Sequence, residues 1–174
     1  MQTEQFAVGD IVRYATTGVC RIADITEMAI GKQKAMYYVL QPVHKDALQV
    51  YVPCDKEALV AKMRRILTKE EILSLIHSMP EVDCRWIADD MQRKETYQQI
   101  LAQGDRSGLI GMIRAIYLHQ QRCLASGKKL HQADERYFEE AQKLLSDEFA
   151  YVLGIRPEQV TPFIVEQLEG MPNE

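Results

Sequence analysis

The pattern of the chain changes at about Leu67, and this change constrains the fold more than any other feature. Before it, short runs of β-branched and aromatic residues alternate with turn signals such as Gly9-Asp10 and Gly31-Lys32, which is typical of strands joined by tight turns. After it, apolar residues recur at helical spacing over long segments. The sequence therefore predicts an α+β chain of two domains, residues 1–66 and residues 67–174.

The first domain is predicted to be a small β-barrel. Extended segments are expected at residues 11–14, 19–30, 35–40 and 48–52. Several short strands in so few residues favour a Tudor- or SH3-like barrel, and β-branched and aromatic side chains suit its half-buried surface.

The second domain is predicted to be an all-α helical bundle. Thr68-Lys69-Glu70-Glu71 is a capping box, in which the Thr68 hydroxyl and the Glu71 carboxylate each accept from the other residue's backbone N–H. Pro80 is expected to end that first helix. Further helices are predicted at residues 83–102, 105–125 and 132–153, and a last short helix is expected to begin at Thr161-Pro162.

Composition restricts the location and the partners. No apolar run approaches the roughly 20 residues that cross a bilayer, so a cytoplasmic protein with no membrane partner is expected. The net charge of −4 conceals an uneven distribution: residues 1–66 hold nine Lys and Arg against seven Asp and Glu, whereas the remainder holds twelve against eighteen. Any contact with phosphates must therefore be local.

Nothing in the sequence indicates catalysis. The four histidines lack metal-binding spacing, the four cysteines form no CxxC pair, and no nucleotide-binding or nucleophile motif occurs. We therefore expect no enzyme activity, no metal, no cofactor and no small-molecule substrate.

Several motifs, taken in order, resemble a known family. Their order and spacing across two unlike domains are similar to those of the CarD/CdnL family of transcription regulators, whose first module also occurs in transcription-repair coupling factors. The motifs are Phe6-Ala7-Val8-Gly9-Asp10-Ile11-Val12-Arg13-Tyr14, Thr17-Gly18-Val19, Tyr37-Tyr38-Val39-Leu40, Val50-Tyr51-Val52-Pro53, Trp86, Arg93-Lys94-Glu95, Gly104-Asp105, Gly127-Lys128-Lys129-Leu130 and Glu148-Phe149-Ala150.

The resemblance implies a bacterial regulator without catalytic activity. Its Tudor-like domain would bind the β subunit of RNA polymerase, and its helical domain would lie on promoter DNA within the nucleoid. A tryptophan matching Trp86 would wedge into the minor groove at the upstream edge of the melted region. An inserted apolar side chain offsets part of the cost of unstacking, which is a few kcal/mol per base step.

Trp86 has two interpretations from the residues alone: partly buried packing near a helix start, or a wedge. On one predicted helix, Arg93 would share a face with Trp86, and Lys94 and Arg85 are further candidates for phosphate contact. Asp89-Asp90 lies one turn from Trp86, where relatives carry basic residues, and would repel phosphates.

Other basic residues are weaker candidates for DNA contact. Lys128, Lys129 and Arg136 precede or begin the fourth predicted helix and form either a DNA-facing patch or a solvated loop. Arg114 and Arg122 are predicted to lie on the solvated side of the third helix.

Met28 and Tyr51 are the candidates for the polymerase contact. Some relatives place arginines at the corresponding strand positions, so the contact here would be more apolar, and simple strand packing is the alternative. Edge-strand docking, in which backbone hydrogen bonds give affinity, is the expected mode.

Two functional hypotheses remain open. In the first, the chain binds polymerase and stabilises the promoter open complex through DNA. In the second, it is a protein-only adapter that docks on polymerase or another protein without touching DNA.

Overall fold

The α+β fold class is confirmed by the computed structural model, which describes residues 5–14 and 17–170. The chain divides into two compact units, Met1–Ile66 and Leu67–Glu174. The first is built on strands and the second on helices.

The described residues of the first unit form one antiparallel sheet of five strands in the order β4-β3-β2-β1-β5. Its elements are β1 (Ile11–Tyr14), β2 (Gly18–Ile30), β3 (Gln33–Pro42), β4 (Val50–Pro53), the short helix α1 (Glu57–Val60) and β5 (Met63–Arg65). Neither α1 nor β5 was predicted from the sequence, because each is only a few residues long.

The hairpin of β2 and β3 dominates this sheet. Its strands pair from Cys20↔Pro42 to Ile30↔Gln33, with an irregularity between Ile22 and Asp24. The predicted turn at Gly31-Lys32 is confirmed, and Gly31 adopts a φ of 68° that favours glycine.

One face of the sheet covers a small apolar core. The buried members of that core are Phe6, Val12, Cys20, Ile22, Leu40, Val52, Val60 and Met63. Since side chains alternate along a strand, the residues between these positions point to the other face.

The part of the second unit that the structure describes contains five helices and a 3₁₀ turn. They are α2 (Lys69–Ser78), the turn Met79–Glu81, α3 (Asp90–Gln103), α4 (Arg106–Ala125), α5 (Gln132–Leu153) and α6 (Pro157–Glu169). The capping box at Thr68 is confirmed, with Thr68 N–H donating to Glu71 Oε2 over 2.8 Å and Glu71 N–H donating to Thr68 Oγ1 over 3.2 Å.

Two predicted helix starts are wrong. The helix predicted at residues 83–102 is α3, and it begins at Asp90 because Asp89 is its N-cap and accepts from Gln92 N–H at 2.7 Å. The last helix begins at Pro157, so Pro162 lies inside it. Residues 82–89 are consequently a non-helical loop, and this loop carries Trp86.

The helices enclose a second apolar core, against which Trp86 packs as a half-buried member. Its largest fully buried side chains are Ile72, Ile76, Leu109, Ile116 and Phe149. Buried Glu148 accepts from the backbone N–H of Leu67 at 3.1 Å and pairs with Arg106.

Candidate functional site

The path of the Trp86 loop is set by α4. A Cβ on Gly111 would lie 2.6 Å from the carbonyl oxygen of Asp83, so only glycine allows the loop to approach the helix this closely. Arg114, one turn further along α4, donates from Nη1 to three carbonyls in the 3₁₀ turn and at the start of the loop. Those carbonyls belong to Met79 (2.8 Å), Pro80 (3.1 Å) and Val82 (2.8 Å). The prediction that Arg114 is a solvated residue is therefore wrong.

The indole of Trp86 contacts two polar side chains. The imidazole of His119, on α4, stacks on it with a centroid separation of 3.7 Å and an interplanar angle of 6°. The guanidinium carbon of Arg93 lies 4.4 Å from the ring centroid, within range of a cation–π interaction. Trp86 thus packs on the core and remains half exposed, a position that leaves both interpretations open.

Arg93 is buried, at 5% exposure, and its guanidinium is engaged by the protein. Nε and Nη2 donate to the two carboxylate oxygens of Asp134 over 2.9 and 3.0 Å. Nη2 also donates to Asp90 over 2.8 Å, and Nη1 donates to the carbonyl of Ile87 over 2.9 Å. The expected phosphate contact by Arg93 is incompatible with this position, because the guanidinium holds the loop to α3 and α5 instead.

The acidic pair beside Trp86 has a structural role that the sequence concealed. Asp89 caps α3, and Asp90 forms an ion pair with Arg93. The charge of Asp90 is therefore balanced locally, and its repulsion of a nearby phosphate is weaker than the sequence indicated.

A pocket of about 530 Å³ opens beside the indole. Two arginines stand at it: Arg85 from the loop, whose side chain is 90% exposed and lies 3.4 Å from Asp83, and Arg122 from α4. The remaining lining residues are Asp83, Cys84, Trp86, Ala115, Leu118 and His119. Arg122 was predicted to be an ordinary surface residue. Arg122 lies one turn after His119 on α4, and this spacing was the sequence signal that could have placed it near the pocket. The sequence did not show that the Trp86 loop packs against α4.

The surroundings of His119 at this pocket favour its neutral form. Burial is the main cause that lowers its pKa from the usual value, and the charge of Arg93 lowers it further, while Asp134 opposes the shift. His119 Nε2 lies 3.4 Å from Cys123 Sγ, one turn further along α4, so the imidazole is in contact at its edge as well as at its face.

The other predicted DNA-binding residues are exposed but lie on different elements. Lys94 is on α3, Lys128 and Lys129 follow α4, and Arg136 is on α5. Arg136 lines a separate pocket together with Glu135, Glu139 and two neighbouring residues of the same helix.

Met28 and Tyr51 lie on one face of the sheet. Met28 on β2 pairs with Ala35 on β3, and Tyr51 on the edge strand β4 pairs with Val39. Tyr37 lies between them on β3. We call these five residues the outer face, since they alternate with core residues along their strands.

The outer face is apolar and accessible at its edge. Tyr51 is 43% exposed, and its hydroxyl lies 2.8 Å from the side-chain oxygen of Gln49. Met28 is half-buried. Such a surface suits a partner that contributes both apolar contacts and a strand edge.

Comparison with known families identifies the first unit. Residues 6–67 match the sequence profile of the CarD-like/TRCF RID domain. The first unit is therefore similar to a CarD-like/TRCF RID domain. Domains of this family interact with the β subunit of RNA polymerase, and the family is an interaction domain rather than an enzyme family. The resemblance drawn from the sequence is thus confirmed over residues 6–67.

The helical unit lies almost wholly outside the matched residues. No curated protein matches the chain. Among the residues that the structure describes, no helix is both long and apolar enough to cross a bilayer.

Proposed function

We propose that this chain is a bacterial transcription regulator that binds the RNA polymerase β subunit and stabilises the promoter open complex. The RID domain would attach it to polymerase, and the Trp86 loop would contact DNA at the upstream edge of the melted region. The observation that carries the DNA contact is the half-buried indole, which is fixed at a pocket that bears Arg85 and Arg122.

The polymerase contact would use the outer face of the RID domain. Met28 and Tyr51 share that face, and β4 is an edge strand, so one partner strand could bond to the backbone of β4 while its side chains meet Tyr51. An apolar contact of this kind depends little on salt.

The DNA contact would combine a wedge with local cations. A wedge that offsets about 1–3 kcal/mol of the cost of unstacking shifts an open–closed equilibrium by one or two decades. Arg85 and Arg122 would hold the adjacent phosphates. Lys94, Lys128, Lys129 and Arg136 would contribute weaker contacts, each adding to the salt dependence of binding.

Binding to a forked promoter fragment in the presence of polymerase tests this function. Trp86→Ala is expected to weaken binding roughly tenfold or more, whereas Tyr151→Ala, which removes an exposed aromatic ring from α5, leaves it unchanged. Arg85→Gln is expected to reduce the slope of log affinity against log salt by about 1. Equal binding of all variants, with no salt dependence, would favour the protein-only adapter.

The polymerase contact has its own matched pair of variants. Met28→Ala and Tyr51→Ala are expected to weaken binding to the isolated β subunit. Met36→Ala, an exposed methionine on the opposite face of β3, is the control and should bind like the unaltered chain. If Met36→Ala weakens binding as much as Met28→Ala does, the outer face is not the contact surface.

A further inference from the structure

The side chains that touch Trp86 are themselves held in place by other groups. His119 is in contact with Cys123 at its Nε2 edge, and Arg93 is fixed by the carboxylate of Asp134 and by the loop carbonyl of Ile87. The indole therefore lies at the end of a network that reaches from α4 and α5 to the loop.

We propose that His119 and Asp134 are positioning residues for Trp86, His119 by stacking on the indole and Asp134 by holding the Arg93 guanidinium against it. This inference rests on the proposed DNA contact of Trp86. In addition, we infer that the indole remains stacked on His119 while it contacts DNA, so that DNA contacts the edge of the ring.

The stacking geometry is the first support. A ring face that is covered by a parallel imidazole at 3.7 Å cannot also accept a base, so the exposed part of the indole includes its edge. An edge inserted at a base step acts as a wedge, which spreads the step without requiring a base to stack on the indole.

The second support is the cost of ordering a side chain. A loop tryptophan that rotated freely would have to be fixed at the moment of binding, and that loss of freedom weakens association by roughly threefold to tenfold. Contacts from two helices fix the ring in advance. The loop alone supplies no such restraint, because residues 82–89 form neither helix nor strand.

The third support is the burial of Asp134, whose carboxylate contacts the Arg93 guanidinium and is not exposed on the surface. Asp134 is 2% exposed and Arg93 is 5% exposed, so neither carries charge to solvent. The bidentate pair fixes the plane of the guanidinium, and that plane lies against the indole.

Fluorescence provides a test that does not involve DNA, because Trp86 is the only tryptophan of the chain. Variants His119→Phe and His119→Leu separate a planar ring from mere bulk at the half-buried stacking position, and His77→Leu, on the exposed side of α2, is the control. Emission and acrylamide quenching of the full-length chain are measured, with far-UV circular dichroism to confirm that each variant is folded.

We expect His119→Leu to increase quenching of Trp86 and to lower the affinity of the polymerase-bound chain for the forked promoter by threefold to tenfold. His119→Phe should resemble the unaltered chain in both measurements. Asp134→Asn should increase the quenching of Trp86 and weaken fork binding as His119→Leu does. If Asp134→Asn does not fold, the comparison of His119→Leu with His119→Phe tests the inference.

Two results overturn the inference. If His119→Leu quenches like the unaltered chain, His119 does not position the ring. If His119→Leu binds the fork more tightly, the imidazole competes with DNA for the indole. Loss of the proposed function is a separate result: Trp86→Ala then leaves fork binding unchanged, while the quenching data still decide whether His119 positions Trp86.

Discussion

Removal of the buried charge on Asp134 should destabilise the helical unit strongly. In Asp134→Asn, the guanidinium of Arg93 stays buried at 5% exposure but loses a carboxylate that accepts two hydrogen bonds, at 2.9 and 3.0 Å. Breaking a buried pair from one side typically costs about 3–5 kcal/mol. Because Arg93 keeps Asp90 and the carbonyl of Ile87 as acceptors, the expected loss is at the lower end, about 3 kcal/mol.

Urea unfolding followed by Trp86 fluorescence measures this loss, since Trp86 reports the helical unit. The double variant Arg93→Met/Asp134→Asn removes both charges. It is expected to be less destabilised than the sum of the two single variants, because it leaves no unpaired buried charge. The reasoning is refuted if Asp134→Asn costs less than about 1 kcal/mol, or if the two single losses add without coupling.

Three further predictions concern single positions. Burial and the charge of Arg93 lower the pKa of His119 below 6.5 in the folded state. The stabilising contribution of His119 is therefore complete above pH 6.5, and it is lost as the pH falls through the folded-state pKa. Between pH 7.5 and pH 5, the unaltered chain should lose more free energy of unfolding than the His119→Phe variant does. Gly111→Ala places a Cβ 2.6 Å from the carbonyl of Asp83 and should change the Trp86 emission, whereas Gly108→Ala, whose nearest neighbours are side-chain atoms at 3.3 and 3.4 Å, should not. Burial raises the pKa of the Cys20 thiol to about 11, so iodoacetamide should label Cys20 only after the chain unfolds. Mass spectrometry measures this labelling, and a labelled Cys20 in the folded chain would contradict its burial.

Local signals predicted the elements that depend on local chemistry. The capping box at Thr68 predicted the start of α2, because its hydrogen bonds act within one turn of the helix. The predicted end of α5 at residue 153 is followed by Gly154 in the αL conformation, which ends helices by an equally local effect. Where two signals competed, the prediction failed. Both Asp83 and Asp89 are suitable N-caps, and both Pro157 and Pro162 are suitable first-turn prolines, so sequence alone did not select between them.

The candidate site was predicted only as far as its individual residues. Trp86 and Arg85 could be chosen from the sequence, but the burial of Arg93 depends on Asp134, which is 41 residues further along the chain. The stacking of His119 likewise depends on how the loop packs against Gly111. These long-range contacts determine which cations face solvent, and no local periodicity reveals them.

The order of motifs in the sequence predicted the similarity of residues 6–67 to the CarD-like/TRCF RID domain. The sequence did not predict that Met28 and Tyr51 lie on one face of the sheet, because their placement depends on the pairing register of three strands.

The lifetime of the open promoter complex, measured with purified polymerase, tests the central claim most directly. The intact chain should prolong this lifetime, and Trp86→Ala should shorten it roughly tenfold toward the value for polymerase alone, while binding to the β subunit is unchanged. Equal lifetimes with the intact chain and with Trp86→Ala would contradict the claim that the indole holds the DNA open.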